Sequence, residues 1–304
     1  MTQLLNALPG ALAQGLIWGV MAIGVYITYK VLDIADLTVD GSICTGAAVC
    51  TMLLLGGQSP WLALLCAVLA GVLAGAVTGL LHVGLGIPPI LAGILTQMVL
   101  WSVNLKLLGK ANQALPARTT PVLLSQMDVG GALPALLGLC VVLVALLVLF
   151  FGTELGCALR ATGCNPVMSR AQGVNTGLMK VVGLALSNGV VALSGALLCQ
   201  YQGYTDVNMG RGAVVIGLAA VVIGQAVLGR RGGRMAVQLG GVILGAVIYY
   251  IVYQVIIFAG FDTDLLKMFS AVVVAVFLGA PHVKAQLKAH SRSKKGDSGH
   301  AENE

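Results

Sequence analysis

The stretch Pro60-Trp61-Leu62-Ala63-Leu64-Leu65-Cys66-Ala67-Val68-Leu69-Ala70-Gly71-Val72-Leu73-Ala74-Gly75-Ala76-Val77-Thr78-Gly79-Leu80-Leu81-His82-Val83 contains no Asp, Glu, Lys or Arg. A helix needs about 20 apolar residues to cross the hydrocarbon core of a bilayer. This run has that length, and it carries glycines at spacing four, the pattern that lets helix backbones approach closely in lipid. Eight further runs resemble it, so that candidate spans fall at 9–29, 38–56, 60–83, 88–108, 129–151, 178–200, 209–229, 235–258 and 264–281. The fold class read from them is all-α: a polytopic transmembrane helix bundle of about nine spans. The run 38–56 is short and broken by glycine, and 209–229 opens on Gly210-Arg211-Gly212, so these two are the least regular.

Composition agrees. The chain has 304 residues, 58% of them apolar and 9% charged, with a mean hydropathy of +0.95. Soluble domains carry about 25% charged residues, so too few charges are present for a water-facing surface. A soluble enzyme, a disordered chain and a nucleic-acid binder are thereby excluded. The seven cysteines form no C-x-x-C pair and sit mostly in apolar runs, where they read as small reduced hydrophobes. His82, His282, His290 and His300 are scattered, with no spacing for a metal.

The basic residues orient the bundle. With nine spans the two ends lie on opposite faces. One face collects Lys30, Arg160, Arg170, Lys180, Arg230, Arg231, Arg234 and the tail cations Lys284, Lys288, Arg292, Lys294 and Lys295. The other has Lys106, Lys110, Arg118, Arg211 and Lys267. By the positive-inside rule the first face is cytoplasmic, which puts the N-terminus outside and the C-terminus inside. Residues 1–281 form the membrane domain, and 282–304 read as a disordered basic cytoplasmic tail.

Two segments resemble each other. Asp36-Leu-Thr-Val-Asp40-Gly41-Ser-Ile-Cys-Thr-Gly46 and Asp206-Val-Asn-Met-Gly-Arg211-Gly212-Ala-Val-Val-Ile-Gly217 each place an acid before a glycine, with a second glycine five residues later. The following helices match in kind, with Gly71, Gly75 and Gly79 in one and Gly241 and Gly245 in the other. The two segments run in opposite directions across the membrane, so the repeat is inverted. Inverted repeats with broken helices at their interface mark transporters. Chance likeness between two Gly/Ala-rich runs is the competing explanation.

The longest polar cytoplasmic segment is 152–177. Gly163 is expected to end a first short helix. Asn165 is a good N-cap and Pro166 a good first helical residue. A second short helix then runs to Gln172, Gly173 stops it, and Asn175 caps the next membrane helix. Such a helix is either a grip for a peripheral partner or a loop resting on lipid, with Arg160 and Arg170 on phosphates.

The stretch Leu159-Arg160-Ala161-Thr162-Gly163-Cys164-Asn165-Pro166, followed by Arg170-Ala171-Gln172-Gly173-Val174-Asn175, resembles the coupling-helix region of ABC importer permeases. The group is the one serving branched-chain amino acids and ribose-type sugars. Residues 32–42 and Gln200-Tyr201-Gln202-Gly203-Tyr204-Thr205-Asp206 resemble a branch linked to tryptophan or tyrosine uptake in bacteria. The likeness covers roughly residues 10–281. One departure is that ribose-type permeases have ten spans. The resemblance implies a bacterial cell-membrane permease that pairs with a second permease copy, an identical one being expected. It implies an ATP-hydrolysing subunit docked on 152–177 through Glu154, Arg160, Ala161, Gly163, Asn165, Pro166, Arg170 and Gly173, and an extracytoplasmic solute-binding protein. The chain has no G-x-x-x-x-G-K-[ST], so ATP belongs to the partner and this chain is expected to bind no cofactor or metal and to catalyse nothing itself.

Candidate pathway residues follow from rare polar positions. Gln97, Trp101 and Asn104 share one face of the fourth span, an amide–indole–amide stripe that either lines a solute path or bonds neighbouring helices. Asn188 is a similar case. Asp36 and Asp40 flank the start of the broken second span, where they cap the helix, with Asp40 or Thr38 taking its free N–H groups, or gate it. Asp206 and Arg211 do the same at the other face, where they can pair. Gly41 and Gly212 are the expected hinges. An uncharged stripe with an aromatic face suits a neutral or zwitterionic solute, and the resemblance leans toward an aromatic amino acid. The rival reading is an ion-coupled secondary transporter. It calls for an ionisable group deep in a span, whereas every membrane acid is expected at a span end.

Overall fold

Helix α8, Thr176–Gln202, is the element around which the described chain is built. The computed structural model describes residues 2–116, 122–126, 129–228 and 234–258, with Met268, Val272 and Ala275 beyond them. Two units are distinguished, Met1–Val255 and Ile256–Glu304, and the site lies in the first. Apart from Met268, Val272 and Ala275 the ninth run, 264–281, falls outside the described residues, as do the tail and the cations Arg118, Arg230, Arg231 and Lys267.

In chain order the elements are α1 Thr2–Tyr26, a π-helical turn Ile27–Val31, α2 Val39–Leu55, α3 Pro60–Gly84, α4 Pro89–Leu108 and β1 Asn112–Ala114. Then come α5 Val129–Gly152, α6 Glu154–Cys164, α7 Pro166–Ala171, α8, β2 Tyr204–Asp206, α9 Ala213–Leu228 and α10 Met235–Phe258. Among the described residues six stretches are long and apolar enough to cross a membrane: Leu8–Val31, Pro60–Gly84, Pro89–Leu108, Gly130–Gly152, Thr176–Gln202 and Met235–Phe258. Helices α2 and α9 are shorter, at 17 and 16 residues, or about 25 Å each at 1.5 Å per residue. That falls short of a hydrocarbon core of about 30 Å.

Local chemistry sets the boundaries. Ser59 accepts the Leu62 N–H and Pro60 opens α3. Pro89 opens α4, and Gly109 closes it at φ 70°. Two expected boundaries change. The seventh run becomes helical only at Ala213, because Asp206–Gly212 forms a strand and turns. Gly163 does not end a helix: α6 runs through it to Cys164, and the break falls at Asn165.

Small residues carry the packing. Methyl groups at Gly71, Gly75 and Gly79 of α3 would overlap the α8 backbone at Asn188, Leu184 and Val181. Gly46 of α2 and Gly195 of α8 abut Ala192 and Ile43 in the same way, and Gly245 of α10 abuts Ala220 of α9. Backbones held this close leave α8 buried along most of its length, whereas α3, α4 and α5 turn apolar side chains outward, among them Leu73, Met98 and Leu149. This is the inverse of a water-soluble core and suits a lipid surround.

Candidate functional site

The two short helices start beside each other. Asp40, in the first turn of α2, accepts the Gly212 N–H on Oδ2 and the Val214 N–H on Oδ1, each at 3.0 Å. It therefore caps α9, not its own helix. The Gly210 N–H points to Cys44 Sγ at 3.1 Å, and a Cβ at Gly210 would overlap the Asp40 carbonyl oxygen. Helix α2 is capped instead by Asp36, whose Oδ1 accepts the Thr38 N–H at 2.9 Å. The Thr38 side chain makes no cap bond.

Asp36 lies just before the start of α2, at a span end as expected of the membrane acids, and it is buried and hydrogen-bonded there. It is only 6% exposed. Its Oδ2 accepts Asn188 Nδ2 at 2.7 Å, and Asn188 Oδ1 accepts the Ser42 hydroxyl at 2.6 Å. Asn188 lies near the middle of α8, a 27-residue helix. A ladder of hydroxyls continues from there: Thr38 to Thr78 at 2.8 Å and Thr78 to Thr96 at 2.9 Å, tying α2, α3 and α4. Threonines at 38, 78 and 96 in apolar runs were a signal of this network that the sequence reading did not use.

Beside the two helix starts is a cavity of about 550 Å³ lined by Asp40, Gly41, Cys44, Gln97, Met98, Trp101, Ser102, Asn104, Val207 and Arg211. Six of the ten candidate pathway residues meet there: Asp40, Gly41, Gln97, Trp101, Asn104 and Arg211. The stripe on α4 faces the first broken helix because Gly41 lets the two backbones close up; a Cβ there would stand 3.2 Å from Gln97 Cα. Trp101 Nε1 lies 3.4 Å from Asn208 Oδ1. Both polar atoms of Asn104 are buried without a hydrogen-bond partner.

Four candidates are not among its lining residues. Asp36 and Asn188 belong to the buried network. Asp206 accepts the Asn208 N–H at 2.6 Å and faces Asn112 across the β1–β2 pair; the pair with Arg211 that the sequence allows is not formed among the described residues. Gly212 serves through its φ of 85°, with open space where a Cβ would go. It is a turn residue and not a site of close backbone approach; that role falls to Gly210.

The loop 152–177 is two helices locked onto the bundle. Thr153 Oγ1 accepts the Gly156 N–H at 3.3 Å, with Glu154 in the first turn of α6. Asn165 Oδ1 accepts the Val167 and Met168 N–H groups at 3.1 and 3.0 Å, and Pro166 is the first residue of α7. Gly173 turns at φ 83°, and Asn175 caps α8. The Arg160 guanidinium donates to Phe151 O at 3.0 Å, and Arg170 Nε to Thr176 Oγ1 at 2.7 Å. Both arginines thus brace the loop. Ala161 is exposed, and its carbonyl accepts the Asn165 N–H. Gly163 packs on the π-helical turn, where a methyl would overlap the Val31 carbonyl oxygen. At the tip, Val167 and Met168 are 77% and 60% exposed.

The family described as "Branched-chain amino acid transport system / permease component" matches residues 8–280. A tyrosine transport system permease protein of Clostridioides difficile (strain R20291) is 38% identical over 93% of this chain and 94% of its own length. An uncharacterized protein of Rickettsia prowazekii (strain Madrid E) is 33% identical over 91% of this chain and 98% of its own. The autoinducer 2 import system permease protein of Escherichia coli (strain K12 / DH10B) is 30% identical over 67% of this chain and 60% of its own. No solved structure matches the chain significantly.

Proposed function

Because this chain belongs to the permease family of branched-chain amino acid transport systems, we propose that it forms the translocation pathway of an ATP-driven amino acid importer. It is a multi-pass membrane transport component, not an enzyme. The match over residues 8–280, joined to the 38% identity with a tyrosine transport permease, is the observation that carries the reading. An aromatic amino acid is the favoured solute.

In this account an ATP-hydrolysing partner docks on α6 and α7, with Val167 and Met168 as its apolar anchor and Glu154, Arg160, Ala161, Gly163, Asn165, Pro166, Arg170 and Gly173 shaping or bracing the loop. Movement passes through Gly163 to the π-helical turn, then along residues 32–38 to the start of α2, and through Asp40 to α9. π-helical turns in α-helices occur often at functional sites, and this one lies between the loop and the first broken helix. Asp36 and Asn188 hold the pivot. Asp40, Gly41, Gln97, Trp101, Asn104 and Arg211 line the path, with Asp206 and Gly212 shaping its outer wall. Two permease copies assemble, an extracytoplasmic binding protein delivers the solute, the loop 152–177 faces the cytoplasm, and the α2 and α9 segments are inverted counterparts within about nine spans.

Asp36 does not favour the ion-coupled alternative. Its oxygens are taken by Thr38 and Asn188, and it is not among the residues lining the cavity. Uptake of radiolabelled L-tyrosine into vesicles holding the permease, its ATPase and its binding protein tests the solute assignment. Competition by tryptophan and phenylalanine is expected. Uptake of a sugar unaffected by aromatic amino acids would overturn it.

A further inference from the structure

The buried amide of Asn104 is the least satisfied polar group in the described membrane bundle. Its side chain is 0% exposed, and neither Nδ2 nor Oδ1 has a partner. Leaving such an atom unpaired costs about 1–3 kcal/mol, and leucine at this position would avoid the cost. Asn104 is among the residues lining the cavity between α2, α4 and residues 207–211, and it also lines an apolar cavity between α2, α3 and α4, so its buried amide lies in the wall between the two. What the amide lacks in the chain, a molecule in the cavity can supply: one donor and one acceptor.

The rest of the lining narrows that molecule's chemistry. The Arg211 side chain has no hydrogen-bond or ion-pair partner among the described residues. Its neighbour Gly212 donates its N–H to Asp40, so a guanidinium and a carboxylate border one cavity. The two Asp40 oxygens each accept one backbone N–H, and each oxygen keeps a further lone pair. Trp101 adds an aromatic surface and Met98 an apolar one. The volume, about 550 Å³, lies in the range of small-molecule sites. A neutral sugar would leave both charges unanswered. A metal ion would meet Arg211, and a dianion would meet Asp40.

We propose that this cavity is a solute site of the permease itself and that it takes an α-amino acid as the zwitterion. Arg211 receives the carboxylate, Asp40 the ammonium group, Asn104 a polar group of the solute, and Trp101 the side chain. The proposal rests on the amino acid importer reading. It adds that selection is repeated inside the membrane after the binding protein has released its cargo.

The test measures saturable binding of radiolabelled L-tyrosine to the permease–ATPase complex in nanodiscs, with no binding protein present. Competitors are tyramine, which lacks the carboxylate, N-acetyl-L-tyrosine, which lacks the ammonium, and D-ribose. Arg211→Gln is expected to weaken L-tyrosine and N-acetyl-L-tyrosine about tenfold or more while leaving tyramine unchanged, the scale of one lost charge-assisted hydrogen bond. Arg211→Lys should restore part of the loss. Asp40→Asn should weaken L-tyrosine and tyramine and spare N-acetyl-L-tyrosine. Absence of saturable binding, or equal binding by the wild type and Arg211→Gln, overturns the site; if the complete system still imports L-tyrosine, the importer reading stands without it. Competition by D-ribose, with ribose and not L-tyrosine imported by the complete system, overturns both.

Discussion

The carboxylate of Asp40, in the first turn of α2, accepts the backbone N–H of Gly212, 172 residues along the chain, at 3.0 Å. One broken helix therefore caps the other. The start of a helix leaves N–H groups without internal partners, and in an apolar surround each must find an acceptor. Asp40 supplies two acceptors at once, which couples the position of α9 to that of α2.

Asp40→Ala removes both acceptors. The apparent melting temperature of the solubilised protein should drop, in line with a cap loss of about 1–2 kcal/mol, and uptake should fall. Asp40→Asn keeps one acceptor oxygen and should lie between the two. An unchanged melting temperature for Asp40→Ala would show that α9 does not depend on this cap.

The Asp36–Asn188 pair predicts a coupled response. Asn188→Leu leaves the Asp36 carboxylate buried with Thr38 as its one remaining partner, and removing a hydrogen-bond partner from a buried charged group costs about 1–3 kcal/mol or more. Asp36→Asn in the same background should recover part of the loss. Additive effects in the double-mutant cycle would contradict a direct interaction.

Glycines in and beside the loop separate coupling from folding. Gly163→Val should push α6 off the Val31 carbonyl and reduce solute-stimulated ATP hydrolysis by the partner. Gly152→Ala meets open space and should behave as wild type. Met168→Pro, in the first turn of α7, should also uncouple, since it removes the N–H that Asn165 caps, a loss of about 1 kcal/mol, and the exposed Met168 side chain. Normal coupling in both Gly163→Val and Met168→Pro would move the docking surface elsewhere.

The chain's own cysteines report orientation. Cys157 and Cys164 in the loop are exposed, whereas Cys44, Cys50, Cys140 and Cys199 are buried. A membrane-impermeant thiol reagent should label the two loop cysteines in inside-out vesicles and leave them unlabelled in right-side-out vesicles. The reverse pattern would invert the topology.

Much of this architecture was legible in local sequence. Each of the eight apolar runs from 9–29 to 235–258 contains a helix, because length and hydropathy alone decide which segments can reside in lipid. The caps at Asn165 and Asn175 and the turn at Gly173 were legible too, since each acts within three residues. The stripe of Gln97, Trp101 and Asn104 could be assigned to one face of α4 from helical spacing. What local sequence could not supply was partnership at long range. Asp40 sits where a helix would cap itself, and its true partner depends on how α9 folds back. The partner of Asp36 is Asn188, 152 residues along the chain near the middle of α8, and no local spacing names it. Gly163 carries the ordinary signal of a helix stop; only the approach of Val31 explains why a helical position must lack a side chain.

The central claim, that ATP hydrolysis on a partner drives solute through this chain by way of α6 and α7, is tested most directly by energising reconstituted vesicles in two ways. Vesicles with the permease, its ATPase and its binding protein should accumulate L-tyrosine when ATP is supplied to the ATPase side, without any ion gradient, and Met168→Pro should abolish that accumulation. Accumulation driven by a proton or sodium gradient in vesicles that contain the permease alone would contradict it.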